Sequence, residues 1–469
     1  MRKSIEFMSC PQPYRVYQRS ADNIASIDVS GELSKPINGI LEARLYKKPA
    51  ETLSRFDWQQ IETDGRTFSG QLENVPVGGP YTLELRIRDN NTTRVIKRIP
   101  GLLVGDLWIL AGQSNMEGCG KLINLEPPSK YVNALYFGDY WAIAKDPLCW
   151  FDEAVEPAHW VTPESEKRAE AAKRDRAFRD FGGGLGVRFG KEIYKATGIP
   201  VGLIQCAHGG TSLAQWSPKL KDKGGESLYG SLLRRVNLAG GKVTGCLWYQ
   251  GEADAMDFGG KDYKELTKDL IENLRSDLSR PDLPFLYVQL SRFHTWDANS
   301  PRTAWNKVQN DQLLLEREME NVAFAASIDG TLSDPIHLDS LSQRKLGVRL
   351  AKLARKLVYN ESNIELGPRP GKIEFIDNTR REIKIDYNCV NGSLMPARDI
   401  RGFLVEKDEQ PIAITSCKRG SDGCSVIIKL AEPAPNGANL WYGRGLYPVV
   451  NLTDKAGFAA PVFGPVTLG

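Results

Sequence analysis

The chain has 469 residues, of which 41% are hydrophobic and 25% charged; this is the composition of a folded globular protein long enough for two or three domains. Its 61 basic and 58 acidic residues leave a net charge of only +3, spread along the chain, so we expect neither nucleic acid nor a membrane as a partner. No apolar run reaches the roughly 18–20 residues of a transmembrane helix. The first residues are too polar for the core of a signal peptide. Two locations stay open: secreted or periplasmic if a leader was removed, and cytoplasmic otherwise.

Residues 1–100 are predicted to form an N-terminal β domain. In "YTLELRIR" (81–88) apolar and polar residues alternate with the period of a strand that has one buried face. The preceding "PVGGP" is typical of a turn.

Residues 101–365 show short apolar runs followed by segments of helical period, the pattern of an α/β domain whose parallel sheet carries helices on both faces. We predict strands at 106–111, 201–207, 245–250, 284–290 and 322–327. We predict helices at roughly 184–197, 226–239, 261–279, 302–320 and 339–359. Arg344 and Arg349 in the last helix are expected to be solvated.

The segment 112–183 is long, rich in Trp and Pro, and has only local helical signal. A connection of that length without structure is unusual in a compact domain, so we predict an insertion near 120–183 that shapes a site. Its charge run at 163–180 mixes both signs and predicts a solvated helix face.

Residues 366–469 begin with a linker at 366–372. The short strand-like runs that follow, separated by Gly, Asn and Asp, predict a second β-sandwich-like domain over 366–469. The eight cysteines have no metal-ligand spacing, and we expect no metal or other cofactor. Only Cys417 and Cys424 have a spacing that suits a hairpin disulfide.

Polar residues with glycine follow four of the predicted strands, where ligands bind in an open α/β sheet. These stretches are "GQSN", "HGGTS", "GEAD" and "IDGTLSDPIH". Ser114 in the first could cap a helix or act as a nucleophile, and its own surroundings do not decide. His337 is one of only four histidines and follows Asp334 by three residues, a spacing that suits a general base with an orienting carboxylate.

The blocks "GDLWILAGQSNM", "PVGLIQCAHGGTSLAQW", "WYQGEAD" and "DPIHLD…RKLGVRLA" resemble those of the SGNH-type carbohydrate esterases, in particular the sialate O-acetylesterase group and its acetylxylan esterase relatives. The resemblance implies a three-layer SGNH-hydrolase (flavodoxin-like) parallel sheet, here flanked by N- and C-terminal β-sandwich-like domains. It also implies a serine esterase that removes O-acetyl groups from a carbohydrate.

Carried over to this chain, the resemblance makes Ser114 the nucleophile, His337 the base and Asp334 the carboxylate that orients it. It implies an oxyanion hole formed partly by the Ser114 and Gly210 N–H groups. One position departs from the wider pattern, and the carboxylate has an alternative. Ala253 stands where an asparagine amide would donate to the oxyanion, so Gln250 is our candidate donor. Some sialate esterases also lack the aspartate three residues before the histidine, which leaves Asp329 as an alternative to Asp334.

Three more residues are predicted to contact substrate: His208, Trp216 as a platform for a sugar ring, and Glu252. Each has a structural alternative: a buried histidine, a core tryptophan and a supporting carboxylate. Two alternatives also stay open for function. The enzyme could be specific for xylan or xyloglucan instead of a sialate, or the chain could bind carbohydrate without catalysis. The sequence gives no oligomeric state.

Overall fold

The computed structural model describes residues 7–9, 11–47, 51–52, 56–89, 92–295 and 302–469, so Cys10 lies outside the described residues. The architecture is mixed α/β, with a large central mixed sheet and further β-sheets in the C-terminal part. Among the described helices, none combines the length and the apolar character needed to cross a bilayer.

The N-terminal part is built from strands, as predicted, and has a hydrophobic core of its own. The strands are β1 (Phe7–Ser9), β2 (Val16–Gln18), β3 (Ile24–Asp28), β4 (Gly31–Leu33), β5 (Ile40–Lys47), β6 (Glu51–Thr52), β7 (Gln59–Asp64), β8 (Thr67–Ser69), β9 (Gln71–Pro76) and β10 (Gly78–Arg88). In β10 the predicted apolar face is buried. Glu84 on the opposite face is also only 1% exposed, because Arg44 and Arg98 on the two neighbouring strands each donate to its carboxylate at 2.7 Å.

The middle of the chain holds the strands and helices of the α/β part. The strands are β11 (Thr93–Gly112), β12 (Gly120–Lys121), β13 (Val132–Leu135), β14 (Trp141–Ile143), β15 (Phe181–Gly183), β16 (Val201–Gln205), β17 (Gly245–Tyr249), β18 (Phe285–Gln289) and β19 (Val322–Ala326). The helices are α1 (Ser114–Glu117), α2 (Ser165–Phe178), α3 (Gly186–Thr197), α4 (Leu228–Ala239), α5 (Glu252–Asp257), α6 (Tyr263–Asp277), α7 (Arg302–Glu318) and α8 (Ser340–Leu357). Short 3₁₀ turns lie at Phe151–Glu153, Pro157–His159 and Pro218–Glu226.

The central sheet runs in the order β14-β13-β16-β11-β17-β18-β19, and every pair in it is parallel except β13 with β14. If the five strands predicted from the sequence (β11, β16, β17, β18 and β19) are numbered 1 to 5 along the chain, their order in the sheet is 2-1-3-4-5. Since crossovers between parallel strands are right-handed, a sheet that grows from its first strand in both directions receives helices on both faces. α3 packs against α8, and α6 packs against α7.

β11 belongs to two parts of the molecule. Its first half pairs antiparallel with β10, with Ile99 opposite Leu83. Its second half, from Asp106, pairs in parallel with β16 on one side and, from Trp108, with β17 on the other. The strand then ends at Gly112, two residues before Ser114. One continuous strand thus leads from the N-terminal β part to the candidate nucleophile.

The segment 112–183 has more structure than the sequence indicates. β13 and β14 add two strands to the edge of the central sheet, and β12 pairs with β15 in a small ribbon beside it. α2 covers most of the mixed charge run and is almost entirely exposed; among its residues only Ala171 is buried. The prediction of a solvated helix there is confirmed.

The C-terminal part folds mainly as two antiparallel sheets, in the orders β20-β21-β26-β25 and β24-β23-β27-β29. Its strands are β20 (Arg369–Phe375), β21 (Glu382–Asn388), β22 (Leu394–Met395), β23 (Phe403–Lys407), β24 (Gln410–Ile412), β25 (Ile414–Arg419), β26 (Ser425–Leu430), β27 (Asn439–Tyr442), β28 (Thr453–Asp454) and β29 (Phe463–Thr467). Gln289 at the end of β18 attaches this part to the central sheet through two hydrogen bonds with the Val462 backbone, of 3.0 and 2.9 Å.

The suggested disulfide between Cys417 and Cys424 is wrong, because both are free cysteines. The register of the hairpin explains why. Cys417 in β25 lies opposite Ile428 of β26, whereas Cys424 precedes β26 in the connecting turn.

Candidate active site

Three of the predicted residues form one line of hydrogen bonds at the carboxyl ends of the parallel strands. The Ser114 hydroxyl lies 2.9 Å from His337 Nε2, and His337 Nδ1 lies 2.6 Å from the Asp334 carboxylate. The His337 side chain keeps 23% of its surface exposed, so a substrate can reach it. A serine hydroxyl, an imidazole and a carboxylate in this order can transfer a proton away from the serine oxygen.

The position of Ser114 follows from a tight turn after β11. Gly112 has φ +129°, and a Cβ there would come within 2.2 Å of the Tyr249 carbonyl oxygen on β17. The Gln113 N–H donates to that same carbonyl at 2.8 Å, and α1 then begins at Ser114. Ser114 is therefore the first residue of a short helix whose N-cap residue is Gln113, so the alternative of Ser114 as the helix N-cap is wrong.

Asp334 is held by its own loop. Its second carboxylate oxygen accepts the Ile336 N–H at 2.9 Å and the His337 N–H at 2.8 Å. Partial burial raises the pKa of Asp334, but these hydrogen bonds together with the one from the His337 ring outweigh it and lower the pKa below its ordinary value. The carboxylate stays ionised and can stabilise a protonated imidazole.

Asp329, the alternative carboxylate, is engaged elsewhere. Its oxygens accept 2.7 Å hydrogen bonds from both terminal nitrogens of Arg349, and the Lys345 ammonium lies 3.2 Å away. Burial opposes ionisation, but the two cations hold the pKa of Asp329 at about 2. The expectation that Arg349 is solvated is wrong, because its side chain is 3% exposed and is needed to neutralise this buried carboxylate.

Asn115 organises the backbone on both sides of His337, a role that the sequence analysis did not assign. Its amide nitrogen donates to the Ile336 carbonyl at 3.3 Å, and its amide oxygen accepts the Leu338 N–H at 3.0 Å. Glu252 accepts a 2.8 Å hydrogen bond from the same amide nitrogen. Since Glu252 is 1% exposed, its predicted contact with substrate is wrong, and it supports Asn115 instead.

The loop after β16 brings two glycines to Ser114. A Cβ on Gly209 would lie 3.5 Å from the Ser114 Cβ, which shows how closely the two backbones approach. Gly210 has φ +68°, and its N–H makes no hydrogen bond to a described residue. The Ser114 N–H, at the start of α1, is likewise unbonded within the described chain. Both N–H groups suit a developing negative charge on a substrate oxygen.

A buried carboxyl lies under this loop. Glu117 accepts a hydrogen bond from the Gly209 N–H and is 7% exposed. Burial raises the pKa of Glu117 to about 7, against the opposing influence of Arg179 and of the Gly209 hydrogen bond. Its position beneath Gly209 makes Glu117 a support for the glycine loop.

Gln250 is not aimed at the candidate oxyanion site, so its prediction as the side-chain donor is wrong. The side chain is fully buried, and its amide nitrogen donates to the Thr211 carbonyl at 3.1 Å and to the Asp254 carboxylate. Both amide hydrogens are therefore used. Ala253 contributes its backbone N–H to the Gln113 side-chain oxygen at 3.3 Å.

His208 lies beside Gly209 and is partly exposed, so its predicted contact with substrate stays a prediction. Its Nδ1 is 3.3 Å from Nδ1 of the buried His159, and desolvation lowers the pKa of His208 to about 4, which keeps the ring neutral. Trp216, by contrast, is 0% exposed and packs edge-on against Trp248. The prediction of Trp216 as a sugar platform is wrong.

A cavity of about 270 Å³ adjoins His337 and Asp334. Its other walls include Cys119 and Lys121 on the segment that follows α1, and Asp180 and Phe181 at β15. The insertion therefore does border the candidate site. Within the described residues, no group of three or more His, Cys, Asp or Glu side chains is arranged to hold a metal ion.

The sequence alone offered a signal for some of the residues that were missed. Asn115 and Glu117 lie within four residues of Ser114, and polar residues so near a nucleophile can be predicted to support the active site. Phe181 and Lys121 had no comparable signal, because they belong to two-residue and three-residue strands whose pairing brings them together.

Comparisons with known proteins identify the family to which the chain belongs. Residues 104–356, more than half of the chain, match the family model described as "Carbohydrate esterase, sialic acid-specific acetylesterase". A probable carbohydrate esterase of Arabidopsis thaliana is 29% identical over 268 residues, which are 52% of this chain and 88% of the plant protein. Human sialate O-acetylesterase is 24% identical over 354 residues, which are 67% of this chain and 65% of the human protein.

Among solved structures, a carbohydrate acetylesterase from Xanthomonas citri matches 97% of this chain and 98% of its own, with a TM-score of 0.63 and 22% sequence identity. At that identity the likeness shows a shared fold. It extends over the N- and C-terminal β parts as well as the central sheet.

Proposed function

Because the chain belongs to the carbohydrate esterase, sialic acid-specific acetylesterase family, and is thereby a carbohydrate O-acetylesterase, we propose that it works by a serine mechanism centred on Ser114. The observation that carries the proposal is the line of hydrogen bonds from Asp334 through His337 to Ser114, of 2.6 and 2.9 Å. A nucleophile, a base and an orienting carboxylate within hydrogen-bond reach are the parts that acyl transfer requires.

In the proposed reaction, His337 Nε2 accepts the Ser114 proton as the serine oxygen attacks the acetyl carbonyl carbon. The carbonyl oxygen becomes an oxyanion beside the Ser114 and Gly210 N–H groups. When the tetrahedral intermediate collapses, His337 gives its proton to the departing sugar oxygen and an acetyl-enzyme forms. Water, deprotonated by His337, then attacks the acetyl-enzyme; as the bond to the Ser114 oxygen breaks, His337 returns the proton to that oxygen and acetate leaves.

The strand order 2-1-3-4-5 supports a flavodoxin-like, SGNH-type arrangement for the catalytic part. We assign it to residues 101–365, with β domains at 1–100 and 366–469. In this assignment Ser114 follows the first strand, the glycine loop follows the second, and the loop with Asp334 and His337 follows the fifth.

The proposed substrate is an acetylated carbohydrate, either a sialate or a plant glycan such as xylan or xyloglucan. The human relative is named for sialate, and the Arabidopsis relative is a probable carbohydrate esterase. Acetate release from acetylated xylan, acetylated xyloglucan and O-acetyl sialic acid, measured side by side, ranks these substrates. Binding of such glycans without any acetate release would favour a non-catalytic role instead.

The mechanism is tested with Ser114→Ala and 4-nitrophenyl acetate. We expect kcat to fall at least about a thousandfold, because the nucleophile is lost. Ser165→Ala, at an exposed position at the start of α2, is the matched control and should keep the activity of the original protein. A correctly folded Ser114→Ala protein with unchanged turnover would contradict the proposal.

A further inference from the structure

The cavity beside His337 lies where the proposed mechanism needs the leaving sugar. His337 Nε2 protonates the sugar oxygen in that mechanism, so the sugar ring must lie within reach of the imidazole. The cavity of about 270 Å³ has His337 and Asp334 in its wall. A volume just below the range of about 300–1,000 Å³ for ligand pockets suits a single sugar ring.

Phe181 gives this cavity an exposed aromatic face. The residue is paired with Lys121 across the β12–β15 ribbon, yet Phe181 remains 40% exposed. The guanidinium of Arg179 lies 4.9 Å from the ring centroid and limits the orientations of the ring. A large apolar side chain held open beside a catalytic group can pack against the apolar C–H face of a pyranose.

Two charged groups in the wall are available to hydroxyl groups of a ligand. Neither the Lys121 ammonium nor the Asp180 carboxylate has a side-chain hydrogen bond or ion pair with a described residue. The ammonium can donate to a sugar hydroxyl, and the carboxylate can accept from one. Asp334 adds a second carboxylate, so the cavity wall carries two carboxylates against the one ammonium of Lys121, and the Arg179 guanidinium beside Phe181 is paired with Asp175.

We propose that this cavity, which we call the leaving-sugar subsite, takes an uncharged pyranose and disfavours a sugar that carries a carboxylate. In this arrangement Phe181 packs against the ring, and Lys121 and Asp180 bind its hydroxyl groups. A carboxylate in the subsite would face Asp180 and Asp334 and be repelled by both. The inference rests on the proposed serine mechanism and favours a plant-glycan ester over a sialate.

The aromatic contact is tested with Phe181→Ala on acetylated methyl β-xylopyranoside and on 4-nitrophenyl acetate, which has no sugar. We expect the ratio of kcat/KM for the sugar ester to kcat/KM for the nitrophenyl ester to fall about tenfold. The matched control is Phe178→Ala: Phe178 is 81% exposed on the same insertion but does not line the cavity. The control should keep the ratio within about twofold. An unchanged ratio in Phe181→Ala, or one that falls equally in both variants, overturns the aromatic contact.

The charge preference is tested on one sugar in two charge states: 9-O-acetyl-N-acetylneuraminic acid and its carboxyl methyl ester. Acetate release from the methyl ester should have a kcat/KM about fivefold higher or more, and Asp180→Asn should reduce that difference. Equal rates on the two, or a faster reaction of the free acid, overturn the preference. A failure of the serine mechanism is recognised separately, by Ser114→Ala retaining activity on 4-nitrophenyl acetate.

Discussion

At the scale of single residues, the position of His337 depends on the Asn115 side chain, which is hydrogen-bonded to the backbone on both sides of it. Asn115 is bonded to the residue before His337 and to the residue after it, and Glu252 holds the Asn115 amide in place. The nucleophile and the base are thus connected through Asn115, the neighbour of Ser114 in the chain. Small errors in the distance between reacting groups reduce rates strongly.

We therefore predict that Asn115→Ala lowers kcat by about 10- to 100-fold and changes KM little, because the loop around His337 loses two hydrogen bonds. Steady-state kinetics on 4-nitrophenyl acetate measure both constants. Asn273→Ala is the control, since Asn273 bonds only within its own exposed helix surface. A rise in KM with unchanged kcat would show that Asn115 acts on binding and not on His337.

Glu117 leads to a prediction about pH. The pKa of this buried carboxyl rises from 4.5 to about 7 on folding, so the folded protein keeps a proton between these values that the unfolded chain releases. Stability is therefore lost as pH rises from about 4.5 to 7, and the loss reaches about 3 kcal/mol above pH 7.

Glu117→Gln removes this titration. The free energy of unfolding of the variant, minus that of the original protein, should therefore increase as pH rises from 5 to 7 and become constant by pH 8. Urea unfolding at these pH values measures the difference. Glu166→Gln, at an exposed position in α2, should show no such trend. A difference between Glu117→Gln and the original protein that does not vary with pH would contradict the prediction.

At the scale of elements, the end of β11 is set by one glycine. Gly112→Ala would place a methyl group within 2.2 Å of the Tyr249 carbonyl oxygen, in a backbone conformation that side chains other than glycine rarely adopt. We expect a loss of about 2–4 kcal/mol in stability and a marked loss of kcat, because β11 and β17 must separate next to Ser114.

The control is Gly198→Ala, which has φ +71° but open space around the new methyl group. It should lose only about 1 kcal/mol and keep its kcat. Thermal unfolding and 4-nitrophenyl acetate kinetics distinguish the two variants. Equal effects of both substitutions would mean that backbone strain, and not the contact with Tyr249, limits this position.

Four strands of the central sheet, β16 to β19, could be predicted within two residues at each end for a physical reason. Parallel strands are covered on both faces, so each is a continuous apolar run, and the helices between them have a clear period. β13 and β14 could not be found in this way, since they are only a few residues long and lie in an insertion with little periodicity. The length of β11 was also missed, because Pro100 and Gly101 interrupt its apolar pattern.

For the site, the order of motifs along the chain predicted which strand ends meet but not which way each side chain points. Gln250 and Trp216 lie in the expected blocks, yet both point into the interior. Burial of a side chain is decided by its neighbours in three dimensions, and those lie far away in the sequence. Ser114, His337 and Asp334 were easier to place because Ser114 follows a strand end and the three-residue spacing of Asp334 and His337 fits a single loop.

At the scale of the whole molecule, the C-terminal part is joined to the α/β part by partly buried polar contacts. Arg349 of α8 donates to the Gly457 carbonyl at 2.8 Å as well as to Asp329. Gly445 and Asn306 of α7 are hydrogen-bonded to each other at 2.7 Å. Contacts of this kind join residues about 100 positions or more apart, and no local pattern in the sequence indicates them.

β11 belongs both to the N-terminal β part and to the central sheet, and this affects how substrate can enter and leave. Enzymes often open a cleft by rotating one domain against another about a flexible joint. Here the N-terminal β part and the central sheet share an unbroken strand, which Gln18 and Arg19 fasten further through hydrogen bonds to Asp106 at its midpoint. Rotation about this strand would break ladder pairs on both sides of it. The shared strand therefore favours a route for substrate to Ser114 that leaves the two parts fixed relative to each other.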